Sequence, residues 1–200
     1  RFVSPSALLQ KLNLSELTAI IVTSVAPDQI LEDFWEAHVA EDILPALARL
    51  RLRGRTVPNF SFMLDVPRIN SLRNVSRMFR VAERMSDSGI GTILHLQAST
   101  RRDWARWAET FKSQSHLSAV ALEFQTGPCH KEIGDRYYFG LVGLQDAVGR
   151  PLHPLVLAGA GRIRQMSRHF HSFTVADSTP FIKTMKRQLL IPIGSDKWKW

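Results

Sequence analysis

Cysteine is nearly absent from this sequence, in which Cys129 is the one cysteine among 200 residues. A single thiol excludes an intrachain disulfide framework and a zinc site of several cysteines within these residues. It also favours a reducing compartment, and we expect a cytoplasmic protein. No apolar run approaches the roughly 20 residues that cross a bilayer, and the first residues show no signal-peptide pattern, so we expect no membrane partner. The sequence begins at Arg1 rather than at methionine, which is compatible with a piece of a longer chain.

Several short motifs of enzyme active sites are also missing. The sequence holds no P-loop, no HExxH and no GxSxG pattern. His169 and His171 stand two residues apart without a nearby carboxylate pattern, so no metal site is predicted there. Gly159-Ala160-Gly161 is a short Gly-x-Gly turn that lacks the third glycine of a dinucleotide fingerprint. We therefore expect neither a metal nor an organic cofactor.

Positive charge is abundant. The 26 lysines and arginines exceed the 18 acidic residues, for a formal charge of +8 and a pI of about 10.2. This excess favours a polyanionic partner such as nucleic acid. The alternative is a solvated basic surface without a partner, which net charge alone does not exclude.

Six short, nearly continuous apolar runs predict strands that are buried on both faces of a sheet. They are Ala19–Val25, Phe60–Asp65, Thr92–Gln97, Ala119–Gln125, Pro154–Ala158 and Ser172–Asp177. Segments with helical spacing separate them, and this alternation is typical of parallel α/β folds. We predict a (β/α) barrel of TIM type over residues 1–193, followed by a basic, aromatic tail over 194–200. Six strands are visible and a closed barrel has eight, so either two strands are cryptic, or sequence is missing, or the barrel is incomplete.

Polar side chains recur at the carboxyl ends of these predicted strands. They are Asp65, His95, Gln97, Glu123, Gln125 and Asp177. Residues two apart on a strand share a face, so His95 lies with Gln97, and Glu123 with Gln125. Ligands of parallel α/β folds bind at this end of the sheet, which predicts a binding mouth. Taken singly, each residue has another explanation: Asp177, for example, is equally suited to cap a helix that begins near Pro180.

Basic residues follow the last two predicted strands. They are Arg162, Arg164, Lys183, Lys186 and Arg187. Lysine and arginine supply most of the sequence-independent affinity for phosphate backbones. We predict that these residues contact a nucleic-acid backbone, although a solvated helix face is the commoner role for any one of them.

Five segments carry a family resemblance in their order along the chain. They are Phe62–Asp65, His95–Gln97, Glu123–Gly127, Leu155–Gly161 and Phe173–Thr184. This order resembles that of the tRNA-guanine transglycosylases, including their DNA-modifying deazaguanine relatives. The resemblance implies exchange of a guanine-type base in tRNA or DNA.

The resemblance also implies a role for each matching residue. Asp177 would be the nucleophile on the ribose, and Asp65 and Gln97 would hydrogen-bond the edge of the base. Gln125 and Gly127 would complete the base-binding pocket. The supporting residues would be His95, Glu123, Gly159 and Gly161.

The match is partial. The zinc site of the family, built from three cysteines and a histidine beyond the nucleophile, is not present, and no Asp-Ser-Gly-Gly-like motif supplies its general acid/base. Two other functions therefore stay open. One is a non-catalytic nucleic-acid-binding barrel that belongs to a larger assembly. The other is a barrel enzyme acting on a small phosphorylated metabolite, with Gly159–Gly161 as its phosphate turn.

Overall fold

A computed structural model of the protein describes residues 4–40, 43–61, 66–125, 130–189, 191–194 and 197–199. These residues contain eight α-helices and eight strands. The helices are α1 (Pro5–Lys11), α2 (Asp28–Ala40), α3 (Ile43–Ala48), α4 (Arg68–Asp87), α5 (Arg101–Ser113), α6 (Lys131–Val148), α7 (Ile163–His169) and α8 (Thr179–Met185). The strands are β1 (Ile21–Val22), β2 (Gly54–Thr56), β3 (Thr92–His95), β4 (Ala119–Glu123), β5 (His153–Leu157), β6 (Thr174–Ala176), β7 (Ile191–Gly194) and β8 (Lys197–Lys199).

Six strands form one sheet in the order β1-β2-β3-β4-β5-β6, and β7 pairs with β8 in a separate antiparallel hairpin. Parallel pairing is seen between β1 and β2, β2 and β3, β3 and β4, and β5 and β6. The predicted α/β class and its parallel sheet of six strands are therefore confirmed. The chain divides into two compact units, Arg1–Ala121 and Leu122–Trp200, which are described separately.

In the first unit, β3 and the helices α4 and α5 contribute a large part of the core. Met78, Val81 and Met85 lie on one buried face of α4, and Trp107 and Phe111 on one buried face of α5. This spacing of three and four residues is what an amphipathic helix needs to cover a sheet.

Local sequence signals explain where these elements begin and end. Thr100 caps α5 and forms a capping box with Asp103. Gly89 follows α4 with a φ of 73°, a conformation that favours glycine. Gly91 then lies so close to Arg53, the residue before β2, that a Cβ atom on Gly91 would be 2.8 Å from the Arg53 carbonyl oxygen. Glycine is therefore needed for the chain to enter β3.

In the second unit, α6 packs through Tyr138, Leu141 and Leu144, all buried, and ends at Gly149 with a φ of 73°. The hydroxyl of Tyr138 donates to the carbonyl oxygen of Gln165, 2.7 Å away, and also bonds Nδ1 of His169. This side chain thus joins α6 to α7.

Two predicted elements differ from those observed. The second strand is Gly54–Thr56, not the apolar run that begins at Phe60; Phe60 and Ser61 are not in a strand, and residues 62–65 lie outside the described part. The segment of helical spacing between the first two predicted strands forms two helices, α2 and α3. Along the described residues, no helix has both the length and the apolarity that a bilayer span requires.

Candidate functional site

Asp177 follows β6 directly and binds the loop that follows β5. One carboxylate oxygen accepts a hydrogen bond from the main-chain amide of Ala160, 3.2 Å away. The other accepts from the amide of Thr179, at the start of α8, at 2.8 Å. The structure therefore brings together two features that were predicted at successive strand ends, the aspartate and the Gly159–Gly161 turn. The alternative explanation is met in part: the N-cap of α8 is Ser178, and Asp177, one residue before it, accepts from the first amide of the helix.

The carboxyl group of Asp177 is half-buried, and its pKa lies below the usual value of 3.8. Partial burial acts to raise the pKa, but hydrogen bonds from the side chain and main chain of Thr179 and from the amide of Ala160 outweigh it. Asp177 is consequently ionised at neutral pH. A carboxylate has about four acceptor positions, so these bonds leave lone pairs that another group can use.

The Gly159–Gly161 turn contains one position where glycine is required and one where it is not. A Cβ atom at Gly159 would lie 2.2 Å from Cγ1 of Val156 and 3.4 Å from the ring of Phe124. A Cβ atom at Gly161 would have no described atom within 4 Å. Gly159 thus permits close packing beneath the turn, while the Ala160 amide, a potential phosphate donor, is engaged by Asp177.

Arg162 ends this turn and is held by neighbouring side chains. Its guanidinium donates to the carboxylate of Asp135 at 2.7 Å and to the side-chain oxygen of Gln165 at 3.1 Å. It also stacks over the ring of Phe124, 4.9 Å from the ring centroid, and its side chain is only 15% exposed. The ion pair with Asp135 was not predicted, since the two residues are 27 positions apart.

The other basic residues of the predicted backbone-binding set lie on or after two short helices. Arg164 is on α7, Lys183 is on α8, and Lys186 and Arg187 follow α8. Lys183 is half-buried, and the other three are exposed. Their positions are compatible with binding a polyanion but do not test it.

Three of the predicted pocket residues belong to the end of β4 and the chain that follows it. Glu123 is the last residue of β4 and half-buried, and Gln125 is exposed two residues later. Gly127 lies outside the described residues, as does Asp65 of the first unit.

His95 is the last residue of β3, where its side chain is only 1% exposed. Neither ring nitrogen has a hydrogen-bond partner among the described residues. Burial lowers the pKa of His95 from 6.5 to about 4, so the ring is neutral near pH 7. A buried polar group without a partner is destabilising, and packing alone does not explain its presence.

Gln97 lies two residues beyond His95 and is 8% exposed. Its side-chain nitrogen donates to the side chain of Asn59 and to the carbonyl oxygen of Phe60, which is 2.7 Å away. Its main-chain carbonyl accepts from the indole of Trp107 at 3.0 Å. Both amide hydrogens are thus used, and the side-chain oxygen is what Gln97 can offer a ligand.

The first unit also has a polar cleft of about 410 Å³ that was not predicted from the sequence. It is lined by residues of α2 and α4, including Asp28, Glu32, Asn70, Arg73 and Arg77. Arg77 and Glu32 form two parallel hydrogen bonds of 2.8 and 2.6 Å. The four-residue spacing of the acids on α2 and of the arginines on α4 places each set on one face of its helix, but it does not indicate that the two faces meet.

Among the residues that the structure describes, no cluster of three or more metal-ligating side chains is found. Comparison with models of known protein families gives no match. Comparison with curated proteins gives no match either. The function is accordingly inferred from the residues themselves.

Proposed function

We propose that this protein exchanges a guanine or deazaguanine base in nucleic acid, with Asp177 as the nucleophile of a TIM-type barrel. The observation that supports this proposal is the ionised carboxylate of Asp177, fixed beside the turn after β5 by the amides of Ala160 and Thr179. Ligands of parallel α/β folds bind at the carboxyl ends of the strands. A nucleophilic carboxylate has to be ionised and held in a fixed orientation, and the two bonds support the proposal by lowering the pKa of Asp177 and fixing its oxygens.

The proposed reaction has two displacements at the anomeric carbon of the ribose. An oxygen of Asp177 attacks C1′ as the bond from C1′ to N9 of guanine breaks, and the departing base takes up a proton from water at nitrogen. This step leaves an ester between the ribose and Asp177. The incoming base then gives its nitrogen-bound proton to water, attacks C1′ and releases the carboxylate. The target base has to leave its stack to reach such a group.

Recognition of the base is assigned to Asp65, Gln97, Gln125 and Gly127, with His95, Glu123, Gly159 and Gly161 in support. Because both amide hydrogens of Gln97 are engaged, this side chain would accept a hydrogen bond from the base. The Watson–Crick edge of guanine carries N–H donors that match such an acceptor. Arg164, Lys183, Lys186 and Arg187 are proposed to lie along the phosphate backbone. Arg162, also predicted there, is paired with Asp135 and largely buried, so its proposed contribution is positive charge beneath that surface. The setting is proposed to be cytoplasmic.

An exchange assay tests the proposal directly. Wild-type protein should incorporate labelled guanine or a deazaguanine into tRNA or DNA, and Asp177→Ala should abolish incorporation. Asp146→Ala, which removes an exposed carboxylate from α6, is the matched control and should retain activity. Without an incoming base, wild type but not Asp177→Ala should form a covalent nucleic-acid adduct on a denaturing gel. Incorporation by Asp177→Ala at the wild-type rate would remove the nucleophile assignment.

A second candidate is a nucleic-acid-binding protein without catalysis. The observation that favours it is that both oxygens of Asp177 accept main-chain hydrogen bonds, an arrangement that a purely structural aspartate also shows. This candidate predicts salt-sensitive binding that survives Asp177→Ala, with no incorporation by the wild type.

A further inference from the structure

Four arginines surround the N-termini of two neighbouring helices in the first unit. This arginine cluster consists of Arg68 on α4 and Arg101, Arg102 and Arg106 on α5. The side chains of Arg68 and Arg106 are 38% and 57% exposed, and Arg101 and Arg102 are exposed as well. None of the four belongs to the set that was predicted from the sequence to contact nucleic acid.

One buried carboxylate organises the cluster. Asp103, with a side chain only 7% exposed, pairs with Arg68 and lies 3.5 Å from the guanidinium of Arg106. Arg68 also donates to the hydroxyl of Ser99 at 3.1 Å, immediately before α5. The start of α4 is thereby joined to the start of α5, and two of the four guanidinium groups have defined positions.

Helix stability does not account for the remaining charge. The N-terminus of a helix carries a partial positive charge, so arginines in the first turn are electrostatically unfavourable. Arg101 and Arg102 occupy the first two positions of α5, and Arg102 stands four residues before Arg106, a like-charge spacing that is also unfavourable. Arg101 and Arg102 have no ion-pair partner in the part of the chain that the structure describes.

We propose that the arginine cluster binds the phosphodiester backbone of the nucleic-acid substrate, as a contact surface additional to the one after β5 and β6. This inference rests on the proposed function. Asp103 pairs with Arg68 and lies near Arg106, so the exposed Arg101 and Arg102 leave this part of α5 with a net positive charge. Arginine also matches the geometry of phosphate oxygens. A bound backbone would offset the repulsion within the cluster. The same chemistry is present in RNA and DNA, so both are tested.

Binding of a labelled RNA hairpin and of a DNA duplex, measured over a range of salt concentrations, tests the proposal. Arg101→Ala/Arg102→Ala should weaken binding on the order of 10-fold at moderate salt and reduce the salt slope by roughly 1 to 2 units. The matched control, Arg49→Ala/Arg80→Ala, removes two exposed arginines elsewhere in the first unit and should bind as wild type does. If the double variant loses affinity for only one of the two nucleic acids, that polymer is identified as the partner.

Thermal unfolding separates binding from folding. Because the two substitutions remove charges that oppose the helix dipole, the double variant should unfold at or above the wild-type temperature. The inference would be overturned if the double variant and the wild type bound nucleic acid with equal affinity. It would also be overturned if the wild-type protein bound anionic lipid vesicles but neither RNA nor DNA. The exchange assay reports on the proposed function separately. If the double variant still incorporates the labelled base and binds nucleic acid as tightly as the wild type, the role of the arginine cluster is overturned and the proposed function is not.

Discussion

The main-chain amide of Ala160 lies 3.2 Å from the carboxylate of Asp177, across 17 residues of sequence. This bond links the loop after β5 to the residue after β6 and helps to keep the carboxylate ionised. The orientation of Asp177 thus depends on the main chain, and the effect of these hydrogen bonds on its pKa can be tested without a substrate.

Asp177→Asn should lower the stability of the second unit by about 1 kcal/mol at pH 7, because it removes the charge from a group that accepts hydrogen bonds from the amides of Ala160 and Thr179. The pKa of Asp177 is lowered on folding. The stabilisation that the charge provides is therefore present above the unfolded pKa and is lost as pH falls through the folded one. Urea unfolding should show a difference from wild type at pH 7 that disappears in strong acid. Asp146→Asn should show no such difference at either pH.

Gly159→Ala should destabilise the protein by about 1–3 kcal/mol, because the added methyl group meets the buried side chain of Val156. Gly161→Ala is its control, since no described atom lies near the new methyl group. It should leave stability unchanged or raise it by up to about 1 kcal/mol. Denaturant midpoints of the two variants check the contrast, and equal midpoints would contradict the packing described for this turn.

His95→Leu should make stability less sensitive to mild acid. The pKa of His95 is lowered on folding from 6.5 to about 4, so between these values the unfolded chain binds the proton more tightly. Wild-type stability should therefore fall as pH drops from 7 to 5, by about 2 kcal/mol from this residue. Unfolding at the two pH values measures the change, and His116→Gln, at an exposed histidine, should keep the wild-type dependence.

The same His95→Leu protein should also be at least as stable as wild type at pH 7. The substitution removes two ring nitrogens that have no partner among the described residues. If base exchange is lost while stability rises, the ring contributes to the reaction or to binding. Unchanged exchange would leave His95 without a functional role.

Glu32→Ala should destabilise the first unit by about 1–3 kcal/mol, because it takes two hydrogen bonds from the largely buried guanidinium of Arg77. The side chain of Glu32 is itself 51% exposed. Most of the lost stability therefore comes from leaving the buried guanidinium of Arg77 without its partner. Glu36→Ala, one turn further along the exposed side of α2, should change stability by less than about 0.5 kcal/mol. Chemical unfolding of both variants decides the comparison.

Five of the six predicted strands overlap a strand of the parallel sheet. The apolar runs of β3, β4 and β5 reflect burial, whereas β1 and β6, at the two ends of the strand order, are more exposed. The strand Gly54–Thr56 was missed since its central residue is an arginine. Arg55 is buried, donates to Ser24 at 3.0 Å and stacks over Phe34 at 5.1 Å. These partners are distant in sequence, so the polar pattern alone did not indicate a strand.

The proximity of Asp177 to the glycine turn followed from the rule that parallel strands bring their carboxyl ends to one edge. The ionic partners did not follow from any such rule. Arg162 with Asp135 and Arg77 with Glu32 are joined over 27 and 45 positions. Pairing over such separations depends on how helices pack, and one sequence does not specify which opposite charges will meet.

The contact between Tyr138 and His169 couples the position of one hydrogen to the tautomer of the ring. The tyrosine hydroxyl has one hydrogen and two acceptors within reach, the carbonyl oxygen of Gln165 and Nδ1 of His169. When the hydrogen is donated to Gln165, Nδ1 of a neutral ring has to be the donor to the hydroxyl, and the lone pair of the ring lies on Nε2. When the hydrogen is donated to Nδ1, Nε2 carries the hydrogen of the ring. Nitrogen chemical shifts would distinguish the two arrangements, and only the first offers an incoming ligand an acceptor at Nε2.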